Sequence, residues 1–414
     1  MTSNEYLLTS SEASQQFSIC LWDYKTMNVQ RYYRNGGVVH TKCLGILGQD
    51  YILTAEQGKP LLHVWPLNSQ DLAKNIRLIL PEPATCMDIC PRSVYLAVGI
   101  QRKIYVWHMS SGKLLSLQEG SYQSITCIKF SSDGYFLLIG GNNGSLITYN
   151  FSEMIRITNN FLSQSDIGQA EPCYEKNDHS MSITDIHVGQ FGRKARFATV
   201  SQDGTCFIYS LLKGELLLNL VFGDQLTSVV FDNPCLQLIV GTEHGDIKAF
   251  YLNNPPKTLS YHFDEKSGVL FRGHQKKIVC MAVNLSQTVL ASGSEDNFVI
   301  TWDMKSGKIL KKIEHKGVIT NIKFVMAFKN FSTETLKSQI ILKNLERSID
   351  SSRNFTVSKI QTEDIVLSDE ETSSTSCSSN DLLRENRDLR ISNMQLFQAA
   401  MKIAREYGFK NVDT

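Results

Sequence analysis

Residues 273–303 read GHQKKIVCMAVNLSQTVLASGSEDNFVITWD. Ile278 to Val283 and Val289 to Gly293 are β-rich runs, and Ser294-Glu295-Asp296-Asn297 is a tight turn before a third run that ends at Trp302-Asp303. Then Lys305-Ser306-Gly307-Lys308 makes another turn and leads into Ile309-Leu310. This is strand, hairpin, strand, turn and outer strand. Working outward, the same unit recurs. Its third run ends on an aromatic anchor at Trp22, Trp65, Trp107, Tyr149, Tyr209, Phe250 and Trp302, with spacings of 43, 42, 42, 60, 41 and 52. Hairpin signals precede the anchors, as in Leu137–Gly144, Ala198–Gly204 and Leu238–Gly245.

A four-stranded unit of about 40 residues, repeated and closed radially, is a propeller blade. The fold class is therefore all-β: a seven-bladed β-propeller over 1–328 with a C-terminal helical tail. Only about two strands, Tyr6–Ser10 and Phe17–Trp22, precede the first anchor. Residues 318–325 begin another blade with nothing after them to complete it. They are expected to join the N-terminal blade, so that no sheet edge is left open.

The opening stretch resembles a WD repeat. In that family a loop histidine, a serine or threonine, a turn aspartate and the anchor tryptophan form a hydrogen-bonded tetrad. The resemblance assigns those roles to His274, Ser292, Asp296 and Trp302. Such a chain gives a buried indole and a buried imidazole their partners and holds the blade in register. The other blades are expected to lack most of it, since Tyr149, Tyr209 and Phe250 replace tryptophan.

Composition narrows the function classes. Lys plus Arg is 42 and Asp plus Glu is 41, so global charge makes no case for nucleic acid. The 10 cysteines contain no C-x-x-C pair. Cys86 and Cys90 read as strand and loop residues, not zinc ligands, and the cysteine placement points to a reducing compartment. No secretory leader and no bilayer-spanning run is visible. Gly140, Gly141 and Gly144 join two strands and open no helix, which argues against a phosphate loop. No metal cluster, nucleophile with its base, or converging carboxylate pair stands out. The reading is a non-enzyme: catalytic residues none, cofactors none, metal none.

Two long spacings mark insertions, 151–180 and 253–272. The first is expected to start as a short helix and continue as a loop. Partner-binding projections and plain loops are equal alternatives for both. Past Phe328 the period stops. Leu336, Ile340, Ile341, Leu345 and Ile349 recur at helical spacing, so 329–350 is expected to be a helical extension. Residues 351–381 carry two basic and six acidic residues and read as an acidic, Ser/Thr-rich linker, with Ser368 before an acidic run that would suit an acidophilic kinase. Over 382–408 comes an amphipathic, coiled-coil-like helix. Leu382, Leu389, Leu396 and Ile403 lie seven apart, with Asn386, Asn393 and Ala400 between them. That seam pairs with a helical partner, including a second copy, or folds back on the propeller, or is ordered only within a complex.

Several stretches together resemble the WD repeat-containing protein 18 family, the propeller subunits of the rixosome. They are Gln49–Ala55, Gly58–Trp65, Pro83–Cys86, Val106–Leu115, Ile139–Asn142 and Ser292–Asp296. The resemblance implies a scaffold in late large-ribosomal-subunit (60S) assembly and internal-spacer rRNA processing, located in the nucleus, nucleolus and nucleoplasm. It implies as partners a large helical-repeat scaffold subunit, a second helical-repeat protein, pre-60S particles and, indirectly, a remodelling ATPase. It implies self-association through the C-terminal helix, and no membrane. A WD adaptor of another class, such as a ubiquitin-ligase substrate receptor or chromatin reader, is the alternative.

Overall fold

The computed structural model describes residues 5–12, 17–74, 76–119, 123–160, 169–253, 256, 258–264, 268–336 and 338–347. The expected linker at 351–381 and helix at 382–408 lie outside them. Among the described residues there are seven sheets, antiparallel except for one added parallel strand in blade 5. Their inner strands are Ile319–Met326 (blade 1), Val39–Leu47 (blade 2), Cys86–Ile89 (blade 3), Ile125–Phe130 (blade 4), Ile183–Val188 (blade 5), Leu226–Phe231 (blade 6) and Ile278–Val283 (blade 7). Each inner strand touches the next, and blade 7 touches blade 1, so the ring is closed.

All seven anchors sit on third strands, each opposite a buried apolar residue of the second: Trp22 faces Leu7, Trp65 Ile52, Trp107 Leu96, Tyr149 Leu137, Tyr209 Phe197, Phe250 Leu238 and Trp302 Leu290. The apolar core is not one centre. It is divided into seven seams, one between each pair of neighbouring blades. Both faces of a blade are therefore covered. That explains continuous apolar runs such as Leu137-Leu138-Ile139 where a one-sided sheet would alternate.

The inner strands share a pattern that the anchors do not reveal: Ala84-Thr85-Cys86, Ile125-Thr126-Cys127, Ile183-Thr184-Asp185, Leu226-Thr227-Ser228 and Ile319-Thr320-Asn321. In blades 4, 5 and 6 the threonine is the extra residue of a β-bulge. Its hydroxyl stitches strands together. Thr126 Oγ1 reaches Ile183 O at 2.6 Å, and Thr184 Oγ1 reaches Leu226 O at 2.8 Å, each bonding one blade to the next. At the same end of the blade, in the turn between second and third strands, Gly144 takes φ +84, and a Cβ there would sit 2.4 Å from His179 O, so only glycine fits.

Closure joins the two ends of the described chain. Ile319–Met326 pairs with Glu5–Ser11, from Glu5 opposite Met326 to Ser11 opposite Ile319. Ser10 Oγ lies 2.7 Å from Thr320 Oγ1. Asn321 Nδ2 donates to Ser10 Oγ (3.1 Å) and to His40 O of blade 2 (2.9 Å), while its Oδ1 accepts from Cys43 N (3.2 Å).

The expected helix at 329–350 is a correction. After a single 3-10 turn, Lys329–Phe331, the described residues to Arg347 contain no helix. They form an extended strap across blades 1 to 3. Leu336, Ile340, Leu342 and Leu345 enter the seam between blades 2 and 3, and Phe331 enters that between blades 1 and 2. A helix would satisfy its own amides. Here the amides of Gln339 and Ile340 donate to Asp50 Oδ2 at 2.6 and 3.0 Å, and Glu346 N donates to Gly112 O at 2.8 Å. Groove burial along a curved surface outweighs a weak local helical preference.

The insertions are also structured in part. The first opens with the helix Phe151–Asn160 and ends in the outer strand of blade 4, Tyr174–Lys176. The second leaves blade 6 and lays Ser260–His262 parallel to the outer strand of blade 5 as a fifth strand. Phe263 stacks on Phe222 at 5.0 Å. The insertion thus covers a sheet edge of the neighbouring blade.

Candidate functional site: the hydrogen-bond networks and the central channel

In blade 7 the four residues read from the sequence meet. Trp302 Nε1 donates to Ser292 Oγ at 2.7 Å, and Ser292 Oγ lies 2.8 Å from His274 Nε2. His274 Nδ1 lies 2.9 Å from Asp296 Oδ2. The indole donates to the hydroxyl, the hydroxyl to imidazole Nε2, and imidazole Nδ1–H to the carboxylate, which accepts. That order needs a neutral ring, and burial lowers the His274 pKa despite the Asp296 charge. Burial alone would raise Asp296, but the His274 ring and the amides of Phe298 and Gln275 hold it below its ordinary value. Every polar atom of the set is used inside the blade.

Two more blades carry most of the same device, contrary to the expectation that the other blades lack it. In blade 5, His179 Nε2 lies 2.8 Å from Thr199 Oγ1 and its Nδ1 lies 3.4 Å from Asp203 Oδ2. The anchor Tyr209 donates instead to Asp178 Oδ2 at 2.8 Å. In blade 1 the set spans the closure. Trp22 Nε1 donates to Thr9 Oγ1 at 2.8 Å, and Thr9 Oγ1 lies 3.5 Å from His315 Nε2. The signal is in the sequence: His179, His274 and His315 each stand four residues before the isoleucine of an inner strand, Ile183, Ile278 and Ile319. The remaining indoles bond backbone: Trp65 to Arg34 O (2.9 Å) and Trp107 to Glu346 O of the strap (2.7 Å). Tyr149 and Phe250 are buried in the blade 3–4 and 5–6 seams. The helix residues Leu382, Asn386, Leu389, Asn393, Leu396, Ala400 and Ile403 lie outside the described residues.

Burial pushes the His315 pKa down to about 4 from an ordinary 6.5. An unfolded chain therefore takes up a proton between pH 6.5 and 4 that the folded chain refuses. This contribution to stability is complete above pH 6.5 and is lost as pH falls toward 4, at about 1.4 kcal/mol per pH unit. Urea midpoints measured from pH 7 to 4 are expected to fall, and His315→Gln is expected to flatten that fall by close to one proton. An identical slope in the variant would exclude His315 as its source.

The channel end of the inner strands carries mixed charge. Asp88, Lys129, His187 and Lys323 occupy one equivalent position in blades 3, 4, 5 and 1. Burial would lower Lys129, but the Asp88 and Asp185 carboxylates outweigh it and raise its pKa. Burial pushes His187 down to about 3, helped by Lys129. The carboxylates are also tied to backbone: Asp88 Oδ2 accepts from Phe130 N (2.8 Å) and Asp185 Oδ2 from Val229 N (3.1 Å), each in the next blade. Lys42 Nζ of blade 2 donates to Thr184 O of blade 5, bridging the channel. Among the described residues no group of three or more His, Cys, Asp or Glu could hold a metal ion, and no helix is long and apolar enough to cross a membrane.

Comparison with known proteins follows from this geometry. The family described as WD domain, G-beta repeat matches residues 112–150 and 265–303. The WD repeat-containing protein 18 of Danio rerio is 31% identical over 351 residues, covering 84% of this chain and 79% of the relative. The chain belongs to the WD repeat-containing protein 18 family. The Pre-rRNA-processing protein pro-1 of Caenorhabditis briggsae is 26% identical, covering 78% of this chain and 60% of the relative. The crystal structure of Ika8, a computationally designed protein, superposes with TM-score 0.53 at 17% identity, over 77% of this chain and 91% of that one, and shows shared fold only. In this member of the WD repeat-containing protein 18 family, His274, Ser292, Asp296 and Trp302 are hydrogen-bonded to one another within blade 7.

Proposed function

We propose that the chain is a non-catalytic scaffold subunit in ribosome biogenesis, acting in late large-subunit (60S) assembly and internal-spacer rRNA processing in the nucleus, nucleolus and nucleoplasm. The observation that carries this reading is membership of the WD repeat-containing protein 18 family, with a relative named for pre-rRNA processing alongside. The geometry agrees with a scaffold. Histidine and carboxylate groups near the tetrad and the channel are bonded within and between blades, as at His274–Asp296, Asp88–Phe130 and Asp185–Val229. A reader of modified side chains needs an open, aromatic-lined pocket. The channel is instead bridged by Lys42 and flanked by Thr, Asp, Lys and His. The partners proposed are a large helical-repeat subunit, a second helical-repeat protein, pre-60S particles and, through these, a remodelling ATPase, with self-association through the helix at 382–408.

Affinity purification of the tagged full chain is expected to recover large-subunit precursors and helical-repeat proteins. Depletion is expected to build up pre-rRNA that retains the second internal spacer. Recovery of a cullin-type ligase or histones without precursor rRNA would overturn the reading.

A further inference from the structure

The two ends of the ring differ in what they present to water. Turns between second and third strands form one end and are polar: Asn142-Asn143-Gly144, Gln202-Asp203-Gly204, Glu243-His244-Gly245 and Glu295-Asp296-Asn297. Turns between inner and second strands form the other. There Tyr135 is 44% exposed, Phe191 57%, Leu236 46% and Leu285 49%, one from each of blades 4 to 7, and Met326 is 51% exposed at the same end of blade 1. Leu212 and Tyr251 add to this end, whereas Met181 is the one large exposed apolar residue on the polar end among those described. A lone exposed leucine needs no explanation. Five successive blades repeating the feature at one end do.

The apolar turns are held in place before anything binds. Gly192 N donates to Ser132 Oγ (3.1 Å), the Arg193 guanidinium lies 3.7 Å over the Tyr135 ring, and Asn233 Nδ2 donates to Leu285 O (3.2 Å). Each contact joins one blade to the next, so docking there orders little. At blades 2 and 3 this same end is already filled by the strap. Ile340 lies over Gly48, the Asp50 carboxylate takes two strap amides, and Glu346 N reaches Gly112 O. This end of the ring thus binds extended chain through spaced apolar side chains and captured amides. The arc of exposed residues continues round the ring from where the described strap stops. Arg193 lies on Tyr135 and Lys213 is paired with Glu215 at 3.5 Å, and the strap's own seating on the neighbouring blades through apolar side chains favours an apolar protein segment.

We propose that the inner-to-second-strand end of blades 4 to 7 is a docking surface for an extended segment of a partner protein carrying spaced, large apolar side chains. This rests on the assembly role above. The test combines Phe191→Asp, Leu236→Asp and Leu285→Asp in the tagged full chain, with Glu243→Ala and His244→Ala at the polar end as the control. Recovery of large-subunit precursor particles is expected to fall at least tenfold in the triple variant and to stay at the wild-type level in the control, with melting temperatures unchanged. A photo-crosslinking residue at position 191 of the otherwise unaltered chain is expected to attach to a protein component of the recovered particle, within an apolar-rich segment. Undiminished recovery by the triple variant, or cross-linking to rRNA, overturns the docking surface and leaves the assembly role standing. A wild-type chain that recovers no precursor overturns both.

Discussion

A chain ended at Phe328 is expected to melt roughly 6 °C below one ended at Arg347, a loss of about 4 kcal/mol. The comparison isolates the strap. Its removal uncovers a seam lined by Leu53, Leu62, Val98 and Trp107, which Leu345 closes from above together with the half-buried Leu336, Ile340 and Leu342. It also uncovers the pocket that Phe331 fills against Tyr6, where the rings meet edge-on at 5.4 Å. Apolar transfer favours the longer chain, and the ordering of strap backbone takes back part of that gain. Polar losses add to the deficit. Trp107 Nε1 loses Glu346 O, and Asp50 loses the amides of Gln339 and Ile340. A buried indole N–H without a partner is destabilising by about 1–3 kcal/mol. A second measurement locates the effect. Trp107→Phe is expected to destabilise the longer chain by about 1 kcal/mol and the shorter one by less, because only the longer one has a bond to lose. Equal melting points for the two chains would mean that the strap merely rests on the surface.

The second large effect is expected at the anchor of blade 7. Trp302→Ala should cost about 3–5 kcal/mol. The indole is fully buried among Ile239, Phe271, Leu290 and Ile300, so its removal leaves a cavity in the seam between blades 6 and 7. Trp302→Phe keeps most of the volume and deletes one donor. Ser292 Oγ retains His274 Nε2, so the cost should be about 1 kcal/mol. Urea midpoints of the two variants separate packing from hydrogen bonding. Near-equal losses would mean that the network, and not the indole volume, holds the blade.

Much of the architecture was legible because the propeller is built from a local unit. An apolar run, a turn with a residue at positive φ, and an aromatic at a set distance are all within about 40 residues. Tryptophan was too strict a marker for the hydrogen-bond sets. Blade 5 keeps His179, Thr199 and Asp203 although its anchor is Tyr209, which finds Asp178 instead. A search for histidine four residues before an inner strand would have located His179 and His315. The threonine bulges at Thr126, Thr184 and Thr227 were equally visible as a repeated strand motif.

The strap misled for a physical reason. Leu336, Ile340 and Leu345 are spaced as a helix would space them, but periodicity describes only what a segment could bury by itself. Whether the chain coils depends on who satisfies its amides, and Asp50, some 290 positions away, competes with the segment's own carbonyls. The same holds for the insertion at 253–272, whose strand pairs with an outer edge of blade 5 that no local signal announces. Local spacing therefore decided the number of blades and their anchors, since each depends on neighbours within one repeat, and the resemblance to a WD repeat supplied the blade 7 network. The course of the strap, the shared set of Thr9, Trp22 and His315, and the apolar end at blades 4 to 7 depend on ring closure. Closure brings together residues hundreds of positions apart, and only the folded ring states which amides and side chains remain to be covered.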